Sequence, residues 1–189
     1  MESNSEYIRL AADLQEDSIV DGPGLRTVIW TQGCAHHCKG CQNPQTWDFN
    51  GGGLVPVDMV LSAIDELEYQ KGITFSGGDP MYQPEACNRI AEYAIKKGYD
   101  IWVYTGLTYE QLLELAKKKP IYREFLEKID VLVDGPFKIE ERDLSLLFRG
   151  SRNQRLIDVK KSLESGKVVL VNEYEYNETK YFERVPMYV

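Results

Sequence analysis

Residues 25–44 read Leu25-Arg26-Thr27-Val28-Ile29-Trp30-Thr31-Gln32-Gly33-Cys34-Ala35-His36-His37-Cys38-Lys39-Gly40-Cys41-Gln42-Asn43-Pro44. The segment 25–31 is rich in β-branched and apolar residues and predicts a buried strand. Directly after it come three of the four cysteines of the chain, in CxxxCxxC spacing. Thiols this close can wrap one inorganic centre from a single loop, and Gly33 and Gly40 let the backbone bend around it. Three readings compete at this point. One is a 4Fe–4S cluster held by three thiolates, with one iron lacking a protein ligand, unlike electron carriers that close the cluster with a fourth cysteine. Another is a Cys-Cys-Cys-His zinc site using His36 or His37. The last is three unrelated cysteines. Spacing alone favours a metal and does not separate iron–sulfur from zinc.

The fourth cysteine, Cys87, lies in an amphipathic stretch. Ala86, Cys87, Ile90, Ala91 and Ala94 recur on one face at helical spacing. It reads as a small core residue rather than a ligand. His36 and His37, the chain's only histidines, read as solvent-facing loop residues between ligands.

Working outward, the chain alternates strand and helix. An edge strand is expected over 7–14, and Asp21-Gly22-Pro23-Gly24 is a turn. The cysteine loop is expected to run to Gly51-Gly52-Gly53. A helix over 57–69 places Val57, Val60, Leu61, Ile64 and Leu67 on one side. A short strand over 72–75 ends in Ser76-Gly77-Gly78-Asp79-Pro80. The helix over 83–97 stops at Gly98, a suitable C-cap. A strand follows over 100–105. Thr108 and Gln111 form a capping box for a helix over 109–118. A second short helix is expected over 122–128. Strands are expected over 129–133 and 155–159, and a strand or hairpin arm over 167–171, followed by a Tyr-rich tail. Such alternation argues for parallel βα units with both sheet faces covered. Ligands in such folds sit at the C-terminal strand ends. The cysteine loop and the segments 76–80, 104–106 and 134–137 all follow strand ends, so four loops converge on one rim.

Composition bounds the rest. The 189 residues suffice for one domain with a real core. Lys plus Arg is 22 and Asp plus Glu is 30, a net charge of −8. That balance argues against general nucleic-acid binding, which needs a basic surface. No apolar run reaches the roughly 18 residues of a membrane span, and residues 1–14 carry no apolar leader segment. A cytoplasmic protein is expected, and in that reducing compartment clustered cysteines bind metal or do redox work more often than they form disulfides.

With these residues in view, a family resemblance emerges. CxxxCxxC after one strand, with Gly77-Gly78-Asp79 after the next, resembles the radical S-adenosylmethionine superfamily. Asp21-Gly22-Pro23-Gly24-Leu25-Arg26 is similar to the glycyl-radical activating enzymes. The stretches 76–80 (SGGDP), 130–137 (DVLVDGPF) and 148–155 (FRGSRNQR) together look like the branch that activates anaerobic (class III) ribonucleoside-triphosphate reductases. The resemblance covers about residues 18–158. It implies a single α/β domain over 1–189, a partial TIM-like (β/α)6 barrel, with 159–189 as a C-terminal strand and tail.

The resemblance also implies the chemistry. Cys34, Cys38 and Cys41 would hold a 4Fe–4S cluster whose open iron chelates the amino and carboxylate groups of S-adenosylmethionine. One electron from a low-potential donor then breaks the sulfonium C–S bond, and the 5′-deoxyadenosyl radical takes a hydrogen from a glycine of the partner reductase. No protein acid, base or nucleophile is required, because the cofactor carries the chemistry. Gly40, Cys41 and Gln42 would contact the cofactor through the backbone, although Gly40 stands where many members carry an aromatic. Gly77 and Gly78 would approach the methionyl amino group. Asp79, where many relatives have Glu, and Asp134 would be carboxylates for the same ammonium. Asp21 and Arg26 would face the partner's glycine loop. Arg149, Arg152 and Arg155 form a local positive cluster. The alternatives are an activase of another glycyl-radical enzyme, such as pyruvate formate-lyase, and a zinc-binding structural or docking module. Against the former, the chain has no second cysteine cluster, and Val133-Asp134-Gly135-Pro136 differs from the Asp-x-Lys expected there.

Overall fold

The structure is a computed structural model and describes residues 5–174. Most of the Tyr-rich tail, Tyr176 and Tyr181 included, lies outside the described residues. Eight strands form one sheet: β1 (Tyr7–Leu10), β2 (Gln15–Ser18), β3 (Arg26–Thr31), β4 (Gly53–Pro56), β5 (Gly72–Gly77), β6 (Asp100–Tyr104), β7 (Val131–Asp134) and β8 (Arg155–Asp158). Their order is β4-β1-β3-β5-β6-β7-β8, with β2 on β3. The helices are α1 (Val57–Asp65), α2 (Pro84–Lys96), α3 (Tyr109–Lys118), α4 (Pro120–Leu126) and α5 (Val159–Ser165).

The molecule is α/β with a central sheet. Parallel pairing covers β3, β5, β6 and β7, four strands where about six were expected. β8 returns antiparallel to β7. Between those two strands the chain forms only the 3-10 turn Ile139–Glu141, and a parallel return needs a crossover element. β1, β2 and β4 are likewise antiparallel additions.

Side-chain alternation along the strands sorts residues onto two faces. Ile101 and Val103 of β6, Leu132 of β7 and Ile157 of β8 join the main core. There they meet Val60 and Ile64 of α1, Ile90 and Ala91 of α2, Leu112 of α3 and Phe125 of α4. Each of the Val, Leu, Ile and Phe side chains among them contributes about 1.5–3 kcal/mol on burial. The intervening Trp102, Val133 and Leu156 face the other way, with Tyr104, Phe148, Val171 and Tyr174 packed on them. Cys87 is fully buried in α2 within the main core.

Three local outcomes differ from the sequence reading. Of the expected strand over 7–14 only β1 is strand; a bend follows at 11–13, and β2 lies beyond it where no strand was expected. β4 sits in the glycine-rich stretch read as loop, and α5 follows β8 where no helix was expected. α5 is only two turns long, capped by Asp158, which accepts from the Lys161 N–H, and ended by left-handed Gly166. The expected arm over 167–171 pairs only through the Ile157–Leu170 bridge.

Arg26 corrects another expectation. It opens β3, level with Gly72 and Asp100 at the strand starts, and is wholly buried. Its guanidinium pairs with Asp100 at 2.6 Å, donates to Thr74 Oγ1 at 2.7 Å and to the Ile73 carbonyl at 3.0 Å. It lies 5.4 Å from the Trp102 ring centroid. Burial lowers its pKa and Asp100 opposes that shift. Arg26 is therefore a structural charge inside the sheet, not a surface group facing a partner.

Candidate active site

A cavity of about 450 Å³ opens at the C-terminal ends of the parallel strands. Cys34, Cys38, Cys41 and Gln42 line it after β3, Gly77 and Gly78 after β5, Thr105 and Gly106 after β6, and Gly135 and Phe137 after β7. The mouth is formed by Ile19, Val20 and Asp21 on one side and by 146–150 on the other. The four strand-end loops thus meet at one rim.

Backbone hydrogen bonds hold the cysteine loop. The Gly33 N–H donates to the Thr46 carbonyl at 2.8 Å, and the Cys34 N–H to the Trp47 carbonyl at 3.1 Å. The Asn43 N–H points at Cys41 Sγ at 3.4 Å. β5 locks onto the loop's start, because the Gly78 N–H donates to the Thr31 carbonyl at 2.7 Å and the Asp79 N–H to the Gly33 carbonyl at 3.0 Å. A Cβ on Gly77 would lie 2.6 Å from the Thr31 oxygen, and one on Gly78 only 2.5 Å from the Gly33 oxygen. The Gly-Gly pair is thus required by the close approach of two backbones, and both residues face the cavity. Gly40 has a left-handed φ of 76° and lies off the lining, against Ile139. That backbone conformation accounts for a glycine where an aromatic would be strained.

All four cysteines are free thiols. Burial pushes the Cys34 thiol up to about 11, against the His36 backbone N–H, which lowers it. Burial also raises Cys38, while the Phe137 N–H lowers it. A positive iron centre would reverse that burial penalty by binding thiolates. Three thiols of one loop on one cavity, with the fourth shut in the core, fit a three-cysteine 4Fe–4S centre. A single-ion zinc site would need His36 or His37 beside the three thiols. Among the described residues no group of three or more His, Cys, Asp or Glu side chains could hold one metal ion. Both histidines are also engaged elsewhere. The His37 ring lies 4.7 Å from that of Trp47, and His36 turns inward onto Asp79.

Asp79 and Asp134 stand off the cavity lining. Asp79 is 1% exposed. Its Oδ1 accepts from the Met81 N–H at 2.9 Å, and its Oδ2 from His36 Nε2 at 2.7 Å, Thr105 Oγ1 at 2.9 Å and the Gly106 N–H at 3.0 Å. Four internal donors thus engage the carboxylate, three of them on Oδ2. Asp134 accepts from Arg155 at 3.0 and 2.5 Å and from the Tyr109 N–H at 2.8 Å. Both carboxylates, expected to meet a cofactor ammonium, are occupied in tying loops together.

The arginine cluster separates. Arg155 pairs with Asp134 and Glu110, Arg152 is exposed, and Arg149 reaches the cavity. The 148–155 stretch wraps the loop after β7. Asn153 donates to the Pro136 carbonyl at 2.8 Å, Gln154 to the Gly135 carbonyl at 3.2 Å, and Tyr104 OH to the Phe148 carbonyl at 2.8 Å. Residue-type patterns gave no hint of Thr105 and Gly106 individually. Their place after a strand was the available signal. His36 was read as exposed, and a buried Asp partner 43 positions away is invisible in local sequence.

Residues 20–157 match a family model described as a 4Fe-4S single cluster domain. The anaerobic ribonucleoside-triphosphate reductase-activating protein of Haemophilus influenzae is 38% identical over 146 residues, covering 72% of this chain and 89% of that protein. The proteins of that name from Enterobacteria phage T4 and Escherichia coli K12 are each 35% identical over 144 residues, covering 72% of this chain. The alignments span 86% and 90% of those two relatives. Among solved structures, the crystal structure of QueE from Escherichia coli aligns with a TM-score of 0.43 and 16% identity, over 54% of this chain and 53% of that one.

Proposed function

The chain belongs to the family of anaerobic ribonucleoside-triphosphate reductase-activating proteins, and from that premise we propose that it is a radical S-adenosylmethionine enzyme that installs a glycyl radical on such a reductase. The observation that carries the reading is the set of three free thiols on one cavity at the ends of the parallel strands. When bound, a 4Fe–4S cluster with one open iron supplies the electron that splits S-adenosylmethionine and so yields the radical that takes the glycine hydrogen.

The protein binds, orients and keeps out water. Cys34, Cys38 and Cys41 hold the cluster. Gly77 and Gly78 offer backbone to the methionyl end of the cofactor, and Gln42 lies beside the cluster. Gly40 and Cys41 shape the ligand loop. Asp79 serves by holding the Gly77-Gly78 turn in place, and Asp134 by anchoring Arg155 at the start of β8. The partner's glycine enters between 19–21 and 146–149, where Ile19, Val20 and Leu147 are exposed. Electrons come from a low-potential donor. We read the parallel strands and their helices as a partial TIM-like barrel in one domain, with its core over about 18–158. What supports this is the convergence of the loops after β3, β5, β6 and β7. No helix among the described residues is long and apolar enough to cross a membrane. We place the protein in the cytoplasm, without a nucleic-acid partner.

Anaerobic reconstitution with iron and sulfide tests the reading. The reduced protein is expected to be brown and to convert S-adenosylmethionine into methionine and 5′-deoxyadenosine. A Cys34/Cys38/Cys41→Ala triple variant that still bound iron and sulfide and still made 5′-deoxyadenosine would overturn it.

A further inference from the structure

We infer that His36 is a positioning residue: through Asp79 it clamps the ligand loop onto the loop after β6 and so fixes Cys34 and Cys38 against the cofactor space. The inference rests on the cluster reading above. It starts from an imidazole that sits between two ligands, lines the cavity and bonds inward to a buried carboxylate. Its side chain is 17% exposed, and Nε2 donates to Asp79 Oδ2 at 2.7 Å. The same oxygen accepts from Thr105 Oγ1 and the Gly106 N–H. The Thr105 oxygen is in turn occupied as acceptor by the Leu107 N–H at 3.1 Å, so its O–H is committed to Asp79. Oδ1 caps the 3-10 turn Pro80–Tyr82 through the Met81 N–H.

One buried carboxylate thereby joins three loops. Packing follows the same line. A Cβ on Gly106 would lie 2.4 Å from the His36 ring, so glycine is what allows the ring to pack against the loop after β6. The tilted Tyr82 ring stands 6.0 Å from it on another side. Backbone bonds fasten the loop's entry at Gly33 and Cys34. The following segment, 35–37, carries the turn to Cys38 and is anchored inward by His36. Groups that hydrogen-bond metal ligands directly are worth roughly 10- to 100-fold in metal affinity when removed, and His36 acts on the same ligands through their loop.

The test compares wild type with His36→Ala, His36→Phe and His36→Gln, each reconstituted anaerobically with iron and sulfide. Iron release to a chelator is followed without S-adenosylmethionine, and melting of the metal-free chain is followed by circular dichroism. Ala and Phe are expected to release iron roughly 10- to 100-fold faster than wild type. Gln keeps an N–H donor at similar reach and is expected to restore most of the retention. Metal-free Phe is expected to melt somewhat below Gln, because it leaves the buried Asp79 one donor short, and iron release is compared at a temperature where both are folded. Phe keeps the volume, so a poorly folded Ala variant still leaves the hydrogen bond tested. Release at the wild-type rate by Phe, or release by Gln as fast as by Phe, overturns the clamp. A wild-type protein that takes up no iron–sulfur overturns the cluster reading itself, and the clamp with it.

Discussion

Arg26 is the residue whose role sequence reasoning placed least well. In the motif it stands beside a glycine turn and reads as a surface contact. In the fold it is a buried cation facing Asp100, Thr74 and Trp102. Arg26→Ala is expected to cost about 3 kcal/mol in a urea midpoint, the low end for a broken buried pair, because Asp100 keeps 29% exposure. A loss below about 1 kcal/mol, the level of a surface pair, would contradict the assignment. Cys87 gives the opposite case, since its helical neighbours announced a core residue and the fold buries it completely. Cys87→Ala is expected to leave the iron content of the reconstituted protein unchanged and to lower stability by about 1 kcal/mol. Loss of one iron per chain in that variant would make Cys87 a ligand. Gly78 was legible as part of a Gly-Gly-acidic motif, yet the reason for it, contact with the Gly33 backbone, required the structure. Gly78→Ala is expected to cost about 1–3 kcal/mol and to impair cluster assembly, measured by denaturant unfolding and iron analysis.

At the scale of elements, β3, β5, β6, β7, α2 and α3 were readable, because alternation, apolar runs and caps all point one way in them. The capping box of Thr108 and Gln111 is present in the structure as expected. α5 and β4 were not readable. Two helical turns carry little periodicity, and a strand that opens on a glycine run looks like a loop. The direction of β8 was hidden too, since it depends on the missing crossover helix and not on the strand's own residues. A charge triad stabilises this edge, with Arg155 bridging Asp134 of β7 and Glu110 of α3. The Arg155 hydrogen bond holds the Glu110 carboxyl down at about 2, against an ordinary 4.5. The folded-state value is depressed, so this contribution is complete above pH 4.5 and is lost as pH falls toward about 2. Urea midpoints across that window are expected to fall less for Glu110→Gln than for wild type. Parallel pH profiles for the two proteins would remove the bridge from the account.

On the scale of the whole molecule, the site was legible because it is assembled from strand ends. A cysteine loop, a Gly-Gly turn and two further loops each followed a strand in sequence, and parallel pairing brings all four to one rim. Roles within that rim were less legible. Asp79 and Asp134 were read as cofactor ligands because the family resemblance implies carboxylates for the cofactor ammonium there. The fold instead engages both with internal donors, which only the packing of distant segments decides. The cavity lining then combines thiols, glycine backbone and polar groups such as Gln42 and Arg149, with exposed Ile19, Val20 and Leu147 at its mouth. That division suits a protein whose bound cofactors carry the reaction and whose substrate is a segment of another protein. The most direct measurement mixes the reduced, reconstituted protein and S-adenosylmethionine with anaerobic ribonucleoside-triphosphate reductase and records the electron paramagnetic resonance spectrum. A glycyl-radical doublet on the reductase, absent without S-adenosylmethionine, is expected. No doublet with the reductase, but one with another glycyl-radical enzyme such as pyruvate formate-lyase, would contradict the assignment.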